Sequence, residues 1–183
     1  QPVWIIHIDT WNSPNPQAII NMVPEDIKPY VVFNLSLSAT ESICADGKKV
    51  VDSWMKVCAE NRVWTMIQPA SGGCSAFDDD DLELYESYYK NYPNFLGWNY
   101  AEQFWGFDED RKRENGTIHT PSFLKRLELF THLMKFAHQY GGYLCVSFTQ
   151  ACYSANMMPV AYMKRNAEMN RLLSTDKEHF ICC

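Results

Sequence analysis

The sequence predicts an α/β fold with a parallel sheet, and two features support this prediction. Six apolar stretches of strand length alternate with stretches whose apolar residues recur at helical spacing. The strand-like stretches end in polar or aromatic residues, which right-handed crossovers would bring to one edge of the sheet. A complete (β/α)8 TIM barrel takes about 250 residues. We therefore expect residues 1–183 to form one domain with the first five to six βα units of such a barrel, which continues beyond residue 183.

The first half of the chain supplies three of the predicted strands. Residues 3–9 form a nearly continuous apolar run, which is typical of a strand buried on both faces. Pro16 favours a short helix over residues 16–22, because proline is well accommodated in a first helical turn. A strand over residues 30–37 follows, and then a helix over residues 48–59, for which Asp46 is a suitable N-cap.

The remaining elements repeat the same alternation. Strands are predicted over residues 62–68, 94–100, 143–148 and 178–183, and helices over residues 82–90, 120–140 and 159–173. The acidic run 78–81 suits the start of a helix, where negative charge is favourable. Pro69 ends the third strand, and Gly141 with Gly142 ends the longest helix.

A doubly wound sheet is the competing arrangement for these elements. In that fold a glycine-rich fingerprint for phosphates follows the first strand. None of the predicted strands is followed by such a fingerprint, and its absence from the sequence favours the barrel.

Composition and charge exclude several classes of partner. A formal net charge of −6 argues against nucleic acid, which requires clustered Lys and Arg. No run approaches the roughly 20 apolar residues of a membrane span. The seven Cys show none of the Cys and His spacings typical of zinc, so we predict no metal. We also expect no cofactor. The aromatic content of 14% points instead to ligands that stack on rings.

The residues at the predicted mouth of the barrel form the profile of a carbohydrate site. Aromatic rings stack on the apolar faces of a pyranose, amides bond its hydroxyls, and a carboxyl group can carry a proton. Glu102 is the carboxyl group that lies among aromatic residues and amides. The predicted substrate-binding residues are His7, Asp9, Trp11, Asn34, Gln68, Trp98, Asn99, Trp105, Gln150 and Tyr153.

Several of these residues also have a purely structural interpretation. Trp98 and Trp105 suit stacking on a sugar and packing at the barrel rim equally well. His7 alternates with core residues, and Asn34 and Gln68 are equally suited to holding loops in place. Trp54 and Trp64 are predicted to be core residues.

Three stretches resemble glycoside hydrolase family 98: residues 4–14, 29–37 and 97–106, the last reading Gly-Trp-Asn-Tyr-Ala-Glu-Gln-Phe-Trp-Gly. The resemblance extends over the whole chain. It implies an endo-β-1,4-galactosidase that inverts configuration and acts on fucosylated host glycans, either the A or B antigen or Lewis Y. It also implies a bacterial protein, secreted or at the cell surface, with possible carbohydrate-binding modules outside this chain.

The resemblance places the general acid of the family at Glu102. The aromatic residues around Glu102 would disfavour its charged form and raise its pKa. Inversion needs a second carboxylate about 6.5–9.5 Å away. The family has its base after the sixth strand, beyond this chain, and Asp9 is the other carboxylate at the predicted mouth, as a base or as a group that orients the sugar. The alternative to an enzyme is a non-catalytic carbohydrate-binding protein on the same scaffold.

Overall fold

The structure is a computed structural model, and it describes residues 4–10, 12, 15–37, 47–69, 79–100, 123–146 and 160–182. The strands are β1 (Trp4–Asp9), β2 (Val31–Ser36), β3 (Trp64–Gln68), β4 (Phe95–Tyr100), β5 (Tyr143–Val146) and β6 (Phe180–Cys182). The helices are α1 (Pro16–Ile20), α2 (Gly47–Glu60), α3 (Asp79–Asn91), α4 (Phe123–Tyr140) and α5 (Val160–Leu173), and a 3₁₀ turn covers Lys28–Tyr30. None of the described helices combines the length and the apolar character that crossing a bilayer requires.

All six strands are parallel and lie side by side in chain order, from β1 to β6. A doubly wound sheet reverses its strand order at a switch point, and this sheet has no such reversal. The α/β prediction is therefore confirmed, and the competing topology is wrong. This strand order is compatible with consecutive barrel units, and β1 and β6 lie at the edges of the described part of the sheet.

The hydrophobic core lies on one face of the sheet. Alternate residues of β2, namely Val31, Phe33 and Leu35, are almost completely buried there. All five helices contribute side chains to the same cluster, among them Trp54 of α2 and Phe130 of α4. A sheet wound in one direction places every right-handed crossover on the same side, and this explains why the helices share a face.

The opposite face carries a small apolar cluster of Val32, Met66 and Cys145, packed against Trp64, Leu96 and Tyr143. All of these residues belong to strands, and no helix residue of the described ranges joins them. We call this side the open face. In a parallel βα sheet, ligands bind at the carboxyl ends of the strands, so the polar residues at that end of the open face define the candidate site.

A β-bulge in β4 decides which residues of that strand reach the open face. Thr65 pairs with Phe95 and the next residue, Met66, pairs with Gly97, so that Leu96 is the extra residue. Beyond the bulge the alternation is shifted by one position. Trp98 consequently lies in the core together with Phe95. In a regular strand, residues three positions apart would point to opposite faces.

Two predictions about burial are wrong. The first strand was expected to be buried on both faces, but Trp4 is 63% exposed and Ile5 is 69% exposed, because β1 is an edge strand of the described sheet. Trp64 was expected in the core, yet its partly exposed side chain lies on the open face and its Nε1 donates a hydrogen bond to the Pro29 carbonyl at 3.0 Å.

Candidate functional site

A row of polar side chains crosses the carboxyl ends of the first strands on the open face. His7 of β1 is paired in register with Asn34 of β2. One pleat further along, Asp9 pairs with Ser36, and Ser36 pairs with Gln68 of β3. Phe33 and Leu35 flank Asn34 and point into the core, so Asn34 points away from the helices. The sheet register alone therefore brings these polar groups together.

Hydrogen bonds link four of these residues into a chain across three strands. His7 Nε2 lies 3.0 Å from Asp9 Oδ1, and His7 Nδ1 lies 3.2 Å from Asn34 Nδ2. Asn34 Nδ2 also donates to Gln68 Oε1 at 2.7 Å. The order Asp9–His7–Asn34–Gln68 defines what we call the polar chain.

The polar chain assigns the proton of the His7 ring. An amide nitrogen is only a donor, so His7 Nδ1 must accept from Asn34 and the proton of a neutral ring lies on Nε2. From that position it is donated to the Asp9 carboxylate. His7 and Asp9 therefore hold each other in one orientation, while their side chains remain 46% and 41% exposed to solvent.

The side-chain carbonyl of Asn34 has no hydrogen-bond partner among the described residues. The two N–H groups of the same amide are used by His7 and Gln68, and the residue is only 3% exposed. The carbonyl oxygen Oδ1 is buried as well. Leaving a buried polar atom unpaired costs about 1–3 kcal/mol. The donor that this oxygen lacks must come from a ligand or from residues outside the described ranges.

Asn99 extends the polar row to β4. Ile67 pairs with Trp98, so the residues that directly follow them, Gln68 and Asn99, are neighbours across the sheet. Asn99 is 9% exposed and is paired on its other side with Cys145, which belongs to the open-face cluster. The β4 bulge therefore places the Asn99 amide beside the Gln68 amide at the same edge.

The structure places Trp98 elsewhere than predicted. Its ring is completely buried on the helix-covered face. It packs edge-on against Tyr85, Tyr88 and Phe95, with ring centroids 4.5, 5.6 and 5.3 Å away. The prediction that Trp98 stacks on a sugar is therefore wrong. Trp98 packs in the core, because the β4 bulge turns its side chain to the helix-covered face.

The other predicted residues divide into two groups. His7, Asp9, Asn34 and Gln68 are brought together by hydrogen bonds, and Asn99 joins them by its place in the sheet. Ser36, which also lies in the row, is not among the predicted site residues. Five predicted residues lie outside the described part of the chain, namely Trp11, Glu102, Trp105, Gln150 and Tyr153.

A buried cation lies behind the carboxyl end of β4. Arg126 of α4 is 6% exposed, and its guanidinium lies 5.6 Å from the centre of the Tyr100 ring. Burial, the largest effect, lowers the pKa of this guanidinium, while Tyr100 and Tyr85 oppose that effect. The Tyr100 hydroxyl lies 3.2 Å from that of Tyr85. Amphipathic spacing predicted the helix but gave no sign that this arginine would be buried.

Comparison with known proteins gives one result. The family model described as Glycosyl hydrolase family 98 matches residues 1–183, the whole length of the chain. Searches of curated proteins and of solved structures return no match to the chain.

Proposed function

The chain belongs to glycosyl hydrolase family 98, and on this premise we propose that it is an inverting endo-β-1,4-galactosidase with Glu102 as its general acid. The substrates that we propose are fucosylated blood-group glycans of the host. By the same resemblance we place the protein outside a bacterial cell, secreted or attached to its surface.

The single observation that carries the proposal is the polar chain at the carboxyl ends of β1–β3. The hydroxyls of a pyranose can donate hydrogen bonds, and the polar chain offers two acceptors for them. The Asn34 carbonyl is a buried acceptor without a described donor, and Asp9 is an acceptor at the solvent-exposed end. Sites of this kind reject analogues that lack the matching hydroxyl, because the buried group is then left unpaired.

In the sequence, Glu102 lies shortly after β4, where the proposal requires the general acid. It follows the last residue of β4, Tyr100, by two positions, and β4 also carries Asn99. An acid after the fourth strand would protonate the glycosidic oxygen of a sugar whose hydroxyls are bound by the polar chain. Catalysis by such a positioned proton donor contributes about 10² to 10⁴ in rate.

We assign Asp9 to sugar orientation. Its Oδ1 already accepts a hydrogen bond from His7, and this bond fixes the carboxylate against β1 and β2. A base in an inverting enzyme must instead activate a water molecule between itself and the sugar. Asp9→Asn is therefore expected to raise KM more than it lowers kcat.

Hydrolysis and binding are tested together with the variant Glu102→Gln. We expect turnover of blood-group A, B and Lewis Y oligosaccharides to fall by at least about 10²-fold, with glycan affinity nearly unchanged. The matched control is Glu60→Gln, which removes an exposed carboxylate at the end of α2 and should leave both quantities unaltered.

Each outcome identifies a different function. Product release from the A and B glycans but not from Lewis Y, or the reverse, assigns the substrate. Binding of these glycans by the wild-type protein without any product release would show a carbohydrate-binding protein instead of an enzyme. Normal turnover by Glu102→Gln would remove Glu102 from the mechanism.

A further inference from the structure

Three potential metal ligands meet at the edge of the sheet opposite the polar chain. His138 lies in the last turn of α4, Asp176 follows α5, and His179 directly precedes β6. One ligand atom from each residue lies within 4.8 Å of the other two. These residues come from separate segments, and for this reason the sequence shows no recognisable zinc spacing.

His179 is held in the tautomer that a metal ligand needs. Its Nδ1 lies 2.8 Å from the carbonyl oxygen of Gly142, which can only accept, so Nδ1 carries the proton. The lone pair of the neutral ring is then on Nε2. Metal-binding histidines almost always donate their other ring N–H in this way, to a carbonyl or a carboxylate.

Asp176 is oriented by the same turn. Its Oδ1 accepts hydrogen bonds from the backbone N–H groups of Glu178 at 3.2 Å and His179 at 3.1 Å. These bonds leave Oδ2 directed towards His138, whose Nδ1 is 3.6 Å away. That separation exceeds the range of a good hydrogen bond, so the two groups are neighbours without being an optimised pair.

The third ligand is largely exposed, and solvent can reach the site. The His138 side chain is 74% exposed, and its ring lies edge-on to the His179 ring at a centroid distance of 5.2 Å. A groove of about 500 Å³ between α4 and the end of α5 is lined by His138 and Asp176. Bonds of about 2.0–2.2 Å to a tetrahedral ion place its ligand atoms roughly 3.3 Å apart. The three ligand atoms lie within 4.8 Å of one another, so each pair must approach by at most about 1.5 Å (4.8 less 3.3) to bind one ion.

We propose that His138, Asp176 and His179 bind a Zn²⁺ ion that ties the end of α4 to the start of β6. Two imidazoles and one carboxylate suit this ion better than Mg²⁺ or Ca²⁺, which prefer sites made wholly of oxygen ligands. Three protein ligands leave the fourth position of the tetrahedron to water. The proposal is independent of the glycosidase function, since the ion would lie at the amino ends of β5 and β6.

The test compares Zn²⁺ binding by His138→Ala and His132→Ala, measured by calorimetry with ZnCl₂ and by the shift of the thermal unfolding midpoint. Both variants remove a histidine from α4, and His132 lies outside the three-residue cluster. His138 is mostly exposed, so its replacement should leave the fold intact, which circular dichroism will verify.

We expect the wild-type protein and His132→Ala to bind Zn²⁺ equally and to melt at a higher temperature in its presence. In His138→Ala the affinity should fall by at least about 100-fold, since the loss of even an outer-shell partner costs about 10- to 100-fold. The same affinity in His138→Ala as in wild type would place the ion elsewhere, for example on the cysteines, and would overturn the proposal. Failure of the wild-type protein to bind Zn²⁺ would overturn it as well.

Discussion

Replacing Gly97 with alanine tests how closely β4 and β5 approach each other next to the β4 bulge. Gly97 has a backbone φ of +138°, a conformation that residues with a side chain rarely adopt. A Cβ atom at this position would lie 1.8 Å from the carbonyl oxygen of Tyr143, its partner in the neighbouring strand β5. The obstacle is backbone, so no side-chain rotation relieves it.

The size of the effect follows from this geometry. A Cβ atom needs about 3.2 Å from a carbonyl oxygen, so β4 and β5 must separate by about 1.4 Å, which breaks nearby ladder hydrogen bonds. Two unpaired buried groups cost about 2–6 kcal/mol. The unfavourable φ adds about 1–3 kcal/mol. We therefore expect Gly97→Ala to lower the free energy of unfolding by about 3–9 kcal/mol, which is most of the stability of a typical domain.

The assay is urea unfolding followed by tryptophan fluorescence, with Gly141→Ala as the matched control. Gly141 also has a positive φ, of +75, but no atom lies within 4 Å of a Cβ built there. That variant should lose only about 1–2 kcal/mol. Equal stabilities of the two variants would refute the reasoning, because the close approach of the Tyr143 carbonyl is what separates them.

Three further variants or reactions test the site and the core. Asn34→Ala should weaken glycan binding about tenfold or more and destabilise the fold by about 1–3 kcal/mol, because it leaves hydrogen-bond partners on β1 and β3 unpaired; unchanged glycan affinity would exclude Asn34 from the site. Tyr140→Phe should lower the free energy of unfolding at pH 7, since the Tyr140 hydroxyl donates to Glu86 at 2.6 Å. The pKa of Glu86 is lowered most by its hydrogen bond from Lys90 and next by that from Tyr140. The resulting stabilisation is therefore complete above the unfolded pKa of about 4.3 and disappears as the pH falls through the lower folded pKa. A loss of stability in Tyr140→Phe that is the same at pH 7 and pH 2 would contradict this. Burial raises the pKa of the Cys58 thiol to about 12, so iodoacetamide at pH 8 should modify it only after unfolding, as mass spectrometry of native and urea-treated protein will show.

Hydrophobic patterning was sufficient to predict the fold class and the order of the elements. The helix expected over residues 48–59 is α2 (Gly47–Glu60), and the helix expected over residues 159–173 is α5 (Val160–Leu173). These helices bury one apolar stripe each, so their spacing in the sequence carries the information. Strand ends were less accurate, because a strand ends where its neighbour stops pairing, which is a property of two segments.

The face on which each site residue lies was harder to predict. His7, Asn34 and Gln68 lie together at the carboxyl ends of their strands because these strands alternate regularly. Trp98 was misplaced because a single inserted residue in β4 reverses the alternation after Gly97. An isolated glycine within a strand is a signal for a bulge, so the sequence contained the indication. Which residues turn into the core after the bulge depends on how β4 pairs with β3, and this pairing cannot be read from the sequence of β4 alone.

Burial divides the polar chain into two parts with different consequences for recognition. The His7 and Asp9 side chains are about half exposed, whereas Asn34 and Gln68 are 3% and 2% exposed. A sugar hydroxyl that binds at the exposed end replaces water already bonded there, and the net gain is about 0.5–1.5 kcal/mol. The Asn34 carbonyl oxygen has no hydrogen-bond partner among the described residues. A sugar hydroxyl that donates to it removes the free-energy cost of the unpaired oxygen, whereas an analogue without that hydroxyl leaves the cost in place. Discrimination between closely related glycans should therefore depend on Asn34 more than on Asp9, and removing single hydroxyls from the galactose unit will measure the difference.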